Sequence, residues 1–121
     1  MKGTSVSKKF KLSKEDIVEL VFGYGSCFAS DRITVDGRPV GFMYRETPDN
    51  DLDSGWRFLA GDEDDDYMSD VNNHAIYSVN TIANYDRSII PLLDSKAGSV
   101  FEKADINGKF ERVSDWQIPD E

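Results

Sequence analysis

Acidic side chains are concentrated in one part of this 121-residue chain. Residues 46–70 hold ten acidic residues and a single basic one, Arg57, while the rest of the chain carries 13 acids and 13 bases. The whole net charge of −9 therefore lies in one stretch. Closely spaced carboxylates can bind a metal ion, imitate the phosphates of a nucleic acid or attract a basic protein.

A calcium site is the first possibility, because Asp49, Asp51 and Asp53 have the spacing of the first three ligands of a helix–loop–helix calcium loop. That loop also needs a glycine at its sixth position and a bidentate glutamate at its twelfth. Ser54 and Ala60 occupy those positions here. The pattern therefore predicts a solvated acidic loop without a metal ligand set.

The second group of acids, Asp62–Asp66, is contiguous in the sequence. Adjacent residues of a helix point about 100° apart, so these side chains cannot all converge on one ion as two-metal catalysis requires. The sequence also contains no glycine-rich phosphate loop, nucleophile elbow or zinc-ligand spacing. We therefore expect neither a metal nor another cofactor.

Cys27 and His74 are the candidates for a nucleophile and a base. Cys27 begins an apolar segment, and His74, the single histidine, lies in an Asn-rich segment. Neither has an activating partner nearby in the sequence. We expect a buried strand cysteine, an exposed loop histidine and no enzymatic activity.

The same composition bears on localisation and partners. A single cysteine forms no internal disulfide, and no apolar run approaches the roughly 20 residues that span a bilayer. These features indicate a cytoplasmic protein without a membrane partner. The negative field repels nucleic acids and attracts basic proteins. Physical reasoning alone leaves two interpretations equally open: mimicry of a nucleic acid and a merely solvated acidic surface.

The N-terminal elements that position these residues are predicted from periodicity and capping signals. Residues 1–12 resemble a flexible basic arm, and residues 13–121 form a single domain in this interpretation. Ser13 is a helix cap, and apolar residues follow it at helical spacing. Gly23 and Gly25 are predicted to end that helix.

Two hairpins are predicted from their turn residues. Asp36-Gly37 is the first two-residue turn, and Asn107-Gly108 is the second. Between them, residues 55–61 read as a strand with Trp56 and Phe58 on one face.

The remaining elements are short. Asp62 is predicted to open a helix through about Ser69, with its acids in the first turn, where the helix dipole favours them. An extended piece over 75–77 and a helical segment over 79–85 follow. The sequence therefore predicts an α+β fold, an antiparallel sheet built from hairpins with two or three short helices in a single domain.

Several motifs resemble a bacterial family, the immunity protein 33 family. They are Met43-Tyr44-Arg45-Glu46, Asp53-Ser54-Gly55-Trp56-Arg57-Phe58, Gly61-Asp62-Glu63-Asp64, Asn80-Thr81-Ile82 and Ile90-Pro91-Leu92-Leu93. The resemblance covers about residues 25–113. It implies an antidote of a polymorphic-toxin system on an α+β domain, and it brings no established catalytic residues. Within these motifs, Arg45 or Arg57 could donate charge-assisted hydrogen bonds to neighbouring carboxylates.

These observations together favour a small acidic binding protein, an immunity protein that neutralises a toxin by protein–protein contact with a basic partner. The alternative is a stand-alone domain that binds a metal ion or a small ligand. The oligomeric state stays open. The residues predicted to contact the partner are Asp49, Asp51, Asp53, Trp56, Asp62, Glu63, Asp64, Asp65 and Asp66.

Overall fold

The computed structural model describes residues 8–105 and 108–118. Within them, six strands form one sheet: β1 Ser26–Ser30, β2 Phe42–Arg45, β3 Asp53–Leu59, β4 His74–Ser78, β5 Val100–Lys103 and β6 Phe110–Arg112. The α-helices are α1 Asp31–Thr34, α2 Asp65–Ser69 and α3 Val79–Tyr85, and 3-10 turns lie at Lys14–Asp16, Val71–Asn73 and Arg87–Leu92. The predicted α+β class is confirmed.

The strand order in the sheet is β4-β1-β3-β2-β5-β6. The β1–β3 pair is parallel, and the other four pairs are antiparallel. In this register Phe28 of β1 lies opposite Ile76 of β4 on one side and Arg57 of β3 on the other. Because side chains alternate between the two faces of a sheet, these three residues share a face.

The core lies on the opposite face of the sheet. Trp56 and Phe58 of β3 are both fully buried, with ring centroids 6.0 Å apart, as the predicted alternation required. They join buried Val79 and Ile82 of α3 in one hydrophobic cluster. Burying each large apolar side chain stabilises the fold by about 1.5–3 kcal/mol. The helix predicted over 79–85 is confirmed as α3.

The hairpin predicted at Asp36-Gly37 is wrong. Ser30 caps α1 by accepting a hydrogen bond from the Arg32 N–H, and Ile33 of α1 is fully buried. Gly37, with φ of +79°, donates its N–H to the Ile33 carbonyl at 3.0 Å. A positive φ serves a helix C-terminus as well as a hairpin turn. β1 and β2 consequently do not pair, and β3 lies between them.

The helix predicted from Ser13 is also wrong beyond its first turn, which is the 3-10 turn Lys14–Asp16. The chain then runs along α3, held by amide side chains. The Asn80 Oδ1 accepts hydrogen bonds from the N–H groups of Leu20 and Val21 at 2.7 and 3.0 Å. Asn80 therefore satisfies backbone groups that a helix would have satisfied internally.

The ends of the chain contact the domain where they are described. Residues 1–7 of the predicted arm lie outside the described residues, but the Lys11 N–H donates to the Thr34 carbonyl at 2.7 Å, and Lys8 pairs with Asp31 at 2.9 Å. The strands of the second predicted hairpin pair as β5 and β6, while Asn107 of its turn falls outside the described residues. No helix in the described part of the chain is long and apolar enough to cross a membrane.

Candidate partner-binding surface

Arg57 on β3 organises the acids that precede it. Its guanidinium is almost fully buried and donates to Glu46 through Nε and to both carboxylate oxygens of Asp53, at 2.9 Å each. Hydrogen bonding by Arg57 holds the pKa of Asp53 well below its usual range. Asp53 is thus committed to an internal ion pair. Arg45 behaves differently, since it donates to the backbone carbonyls of Ser54 and Ser95.

A β-bulge makes this ion pair possible. Residues four apart on a regular strand are separated by about 13 Å, yet Asp53 and Arg57 touch. The register with β1 shifts here, since Ser26 lies opposite Asp53 but Phe28 lies opposite Arg57. Gly55 supplies the required backbone with φ of +89°.

Asp62 is a second internal partner. It pairs with Arg32 of α1 at 2.8 Å and with Arg38 at 2.6 Å, and the hydrogen bond from Arg32 lowers the pKa of Asp62. The helix predicted from Asp62 through about Ser69 exists as α2 and ends at Ser69, but its predicted start at Asp62 is wrong. Two cations hold Asp62 outside α2, which begins at Asp65.

Glu63 and Asp64 serve the backbone. The Glu63 carboxylate accepts the N–H groups of Ala60 and Gly61 at 2.8 and 2.9 Å. Asp64 is the N-cap of α2 and accepts the Tyr67 N–H at 2.8 Å. Both side chains thus have a local structural role in the turn that ends β3 and starts α2.

The remaining acids point outward. Asp51, Asp65 and Asp66 are exposed and form no hydrogen bond or ion pair through their side chains with another described residue. The Asp49 side chain is 60% exposed and reaches Arg57 only at 3.9 Å. Of the predicted contact residues, these four carry carboxylates that a partner could reach without breaking a short internal bond.

Trp56 is a different case. Its side chain is 0% exposed, and its indole Nε1–H donates to the Leu93 carbonyl at 3.2 Å. Because the ring lies in the core, a partner cannot touch it. The structure corrects this part of the predicted contact set and gives Trp56 a packing role.

Cys27 and His74 lie on opposite faces of the sheet, since Cys27 belongs to the core and His74 lies opposite Ser30, on the side of Phe28. Burial raises the pKa of the Cys27 thiol to about 12, which keeps it protonated at neutral pH. The His74 ring packs edge-on against Tyr67. The two residues cannot act together as a nucleophile and a base. Across the described ranges, no three or more His, Cys, Asp or Glu side chains are grouped so as to hold a metal ion.

The sequence interpretation missed the sheet face that carries Phe28, Arg57 and Ile76. A groove of about 390 Å³ lies over it, lined by Phe28, Tyr44, Asp49, Arg57, Met68 and Val71 among others. A second cavity of about 740 Å³ is lined by Phe22, Leu52 and Ile76. The sequence of β1 carried a pattern that could have indicated this face. Large Phe28 alternates with small Cys27 and Ala29, and its bulky side chain faces away from the core.

The comparison with known protein families matches most of this sheet domain. The sequence model of the immunity protein Imm33 domain matches residues 27–114. The chain belongs to the Imm33 immunity protein family. No curated protein and no solved structure matches it. The residues matched by the Imm33 model include the acidic stretch, the bulge around Gly55 and all the residues that line the groove over Phe28 and Arg57. The segment that runs along α3 before residue 27 lies outside the match.

Proposed function

We propose that this Imm33 protein is a cytoplasmic immunity protein that neutralises a bacterial toxin by direct contact, as a binding protein and not as an enzyme. The observation that carries this proposal is that the acids fall into two structural groups. Asp53, Asp62, Glu63 and Asp64 hold the fold together, whereas Asp49, Asp51, Asp65 and Asp66 project into solvent.

The partner in this proposal is a basic protein. Outward carboxylates within a stretch that carries the whole net charge of −9 create a field that speeds encounter with a positive surface. The same field opposes contact with nucleic acid phosphates. Membership in an immunity family supports a toxin as that partner.

The proposal is tested by co-expression with each polymorphic-toxin domain encoded in the same genome. This protein should restore growth of cells that make its cognate toxin domain, and the two purified proteins should elute together on size exclusion. Growth arrest that persists with every toxin domain in the presence of the soluble, folded protein would contradict the proposal.

A further inference from the structure

Large apolar side chains are exposed mainly on one part of the surface. Among the described residues nine such side chains are exposed, and six of them line two cavities, the groove on the open face of the sheet and the second cavity beside the start of β1 and the end of β4. These six, which we call the open strip, are Phe22, Phe28, Leu52, Met68, Val71 and Ile76. Single exposed apolar residues are ordinary, but a contiguous group marks an interaction surface.

The two cavities meet at one cross-strand pair. Phe28 lines the groove and Ile76 lines the second cavity, and the two residues lie opposite each other on β1 and β4. Directly opposed residues of an antiparallel pair have Cβ atoms about 5 Å apart. The open strip is therefore continuous across this pair, although its six members come from six different elements and loops of the chain.

The C-terminal segment covers the neighbouring part of the same sheet face. The Trp116 ring lies 4.9 Å from the rings of Phe42 and Tyr44 on β2. Ile76 on β4 is 64% exposed, and Leu52 beside it is 77% exposed. The fold thus shields the β2 side of this face and leaves the β1–β4 side open.

Outward-facing acids lie near the open strip. Asp49 lines the groove together with Phe28, Met68 and Val71, and Asp51 directly precedes Leu52 in the sequence. Asp65 precedes Met68 by three residues on α2, which places the two on the same side of that helix. An apolar centre with a charged border is the usual anatomy of a protein interface.

We propose that the open strip is the surface that the toxin contacts, and that the toxin presents apolar side chains surrounded by lysine and arginine. This inference rests on the proposed function and names its contact surface. Charge complementarity favours a basic toxin over a second copy of this chain as the partner. A second copy of this chain would bring the same acids against each other, with a net charge of −9 on each copy, and like charges across an interface oppose association.

The test uses the toxin domain that the co-expression experiment identifies, a double variant of the strip and a control variant. The strip variant is Leu52→Ser with Ile76→Ser. The control variant is Val18→Ser, which removes one apolar side chain of 50% exposure outside the strip. These three side chains are at least half exposed, so both variants should keep the free energy of unfolding of the wild type within about 1 kcal/mol.

The strip variant should raise the Kd for the toxin domain at least about tenfold, and the control should change it less than about threefold. A strip variant that binds within threefold of the wild type overturns the assigned surface while the wild type still binds and protects. A wild type that neither binds nor protects overturns the proposed function itself. Sedimentation provides a further check: a wild-type dimer that the strip variant dissociates assigns the strip to a second copy and overturns the toxin contact.

Discussion

Asp53 and Arg57 form a two-point ion pair across a β-bulge, although they stand four residues apart on one strand. Both side chains are less than a tenth exposed, so the pair is largely shielded from water. This pair removes one carboxylate from the acidic surface and fixes the strand that carries Trp56 and Phe58 into the core.

Removing Asp53 leaves Arg57 buried with Glu46 as its remaining short carboxylate partner. The Asp53→Ala substitution should therefore lower the free energy of unfolding by about 2 kcal/mol, because Arg57 loses one of its two carboxylate partners and the N–H groups of Asp49 and Gly55 lose their acceptor. Urea denaturation measures this change. Asp51→Ala, at an exposed neighbouring acid, is the matched control and should change the stability by less than about 0.5 kcal/mol. Equal stabilities of the two variants would contradict the role assigned to the pair.

The same pair makes stability depend on pH. Hydrogen bonds from Arg57 hold the pKa of Asp53 below its usual range in the folded protein, whereas the unfolded value is about 3.9. Because the folded pKa is depressed, the stabilisation is fully present above about pH 5 and is lost as the pH falls towards the folded pKa. The difference in unfolding free energy between the wild type and Asp53→Asn should shrink between about pH 5 and pH 3. A difference that does not vary over this range would count against the pair.

We predict that the β-bulge requires a glycine at position 55. Its φ is +89°, and an added Cβ would meet the carbonyl oxygen of Glu46. Gly55→Ala should therefore destabilise the protein by about 2 kcal/mol or more, from backbone strain combined with the collision. Gly23→Ala is the control, since Gly23 has a nearly identical φ of +87° but open space around its Cβ position. Thermal unfolding compares the two, and equal losses would show that the collision is absent.

Asn80 should hold the segment before residue 27 to α3. Asn80→Ala removes the acceptor of the Leu20 and Val21 N–H groups, so these amides should exchange hydrogen with solvent at least about tenfold faster, as local opening becomes easier. The exposed Asn72 provides the control substitution, Asn72→Ala. Unchanged exchange at Leu20 and Val21 in the Asn80 variant would contradict the contact.

The regular parts of this fold follow from local sequence patterns. The alternation of Trp56 and Phe58 predicted β3, and the pattern around Val79–Tyr85 predicted α3. Where the outcome depended on a distant partner, local reasoning failed. The Leu20 and Val21 N–H groups of the N-terminal segment bind Asn80, and Asp36-Gly37 follows the Ser30-capped helix α1, whose Ile33 packs into the core.

The candidate site, like the fold, could be predicted from the sequence only in part. The charge count located the acidic stretch, but it could not separate Asp62, which binds Arg32 and Arg38, from the solvent-facing Asp65. That separation depends on which cations the fold brings near. The open strip was hidden for the same reason, because Phe28 and Ile76 become neighbours only through the pairing of β1 with β4.

The most direct test of toxin binding through the acidic surface is the association rate constant with the toxin domain that the co-expression experiment identifies. Asp65→Lys with Asp66→Lys reverses two outward charges and spares the helix cap Asp64. The control, Glu15→Lys with Glu111→Lys, changes the net charge equally at exposed acids outside residues 46–70. At low salt the first variant should associate about tenfold or more slowly than the wild type, with a weaker dependence on salt, and the control should stay within about threefold. Equal association rates for the wild type and the Asp65–Asp66 variant would contradict the account.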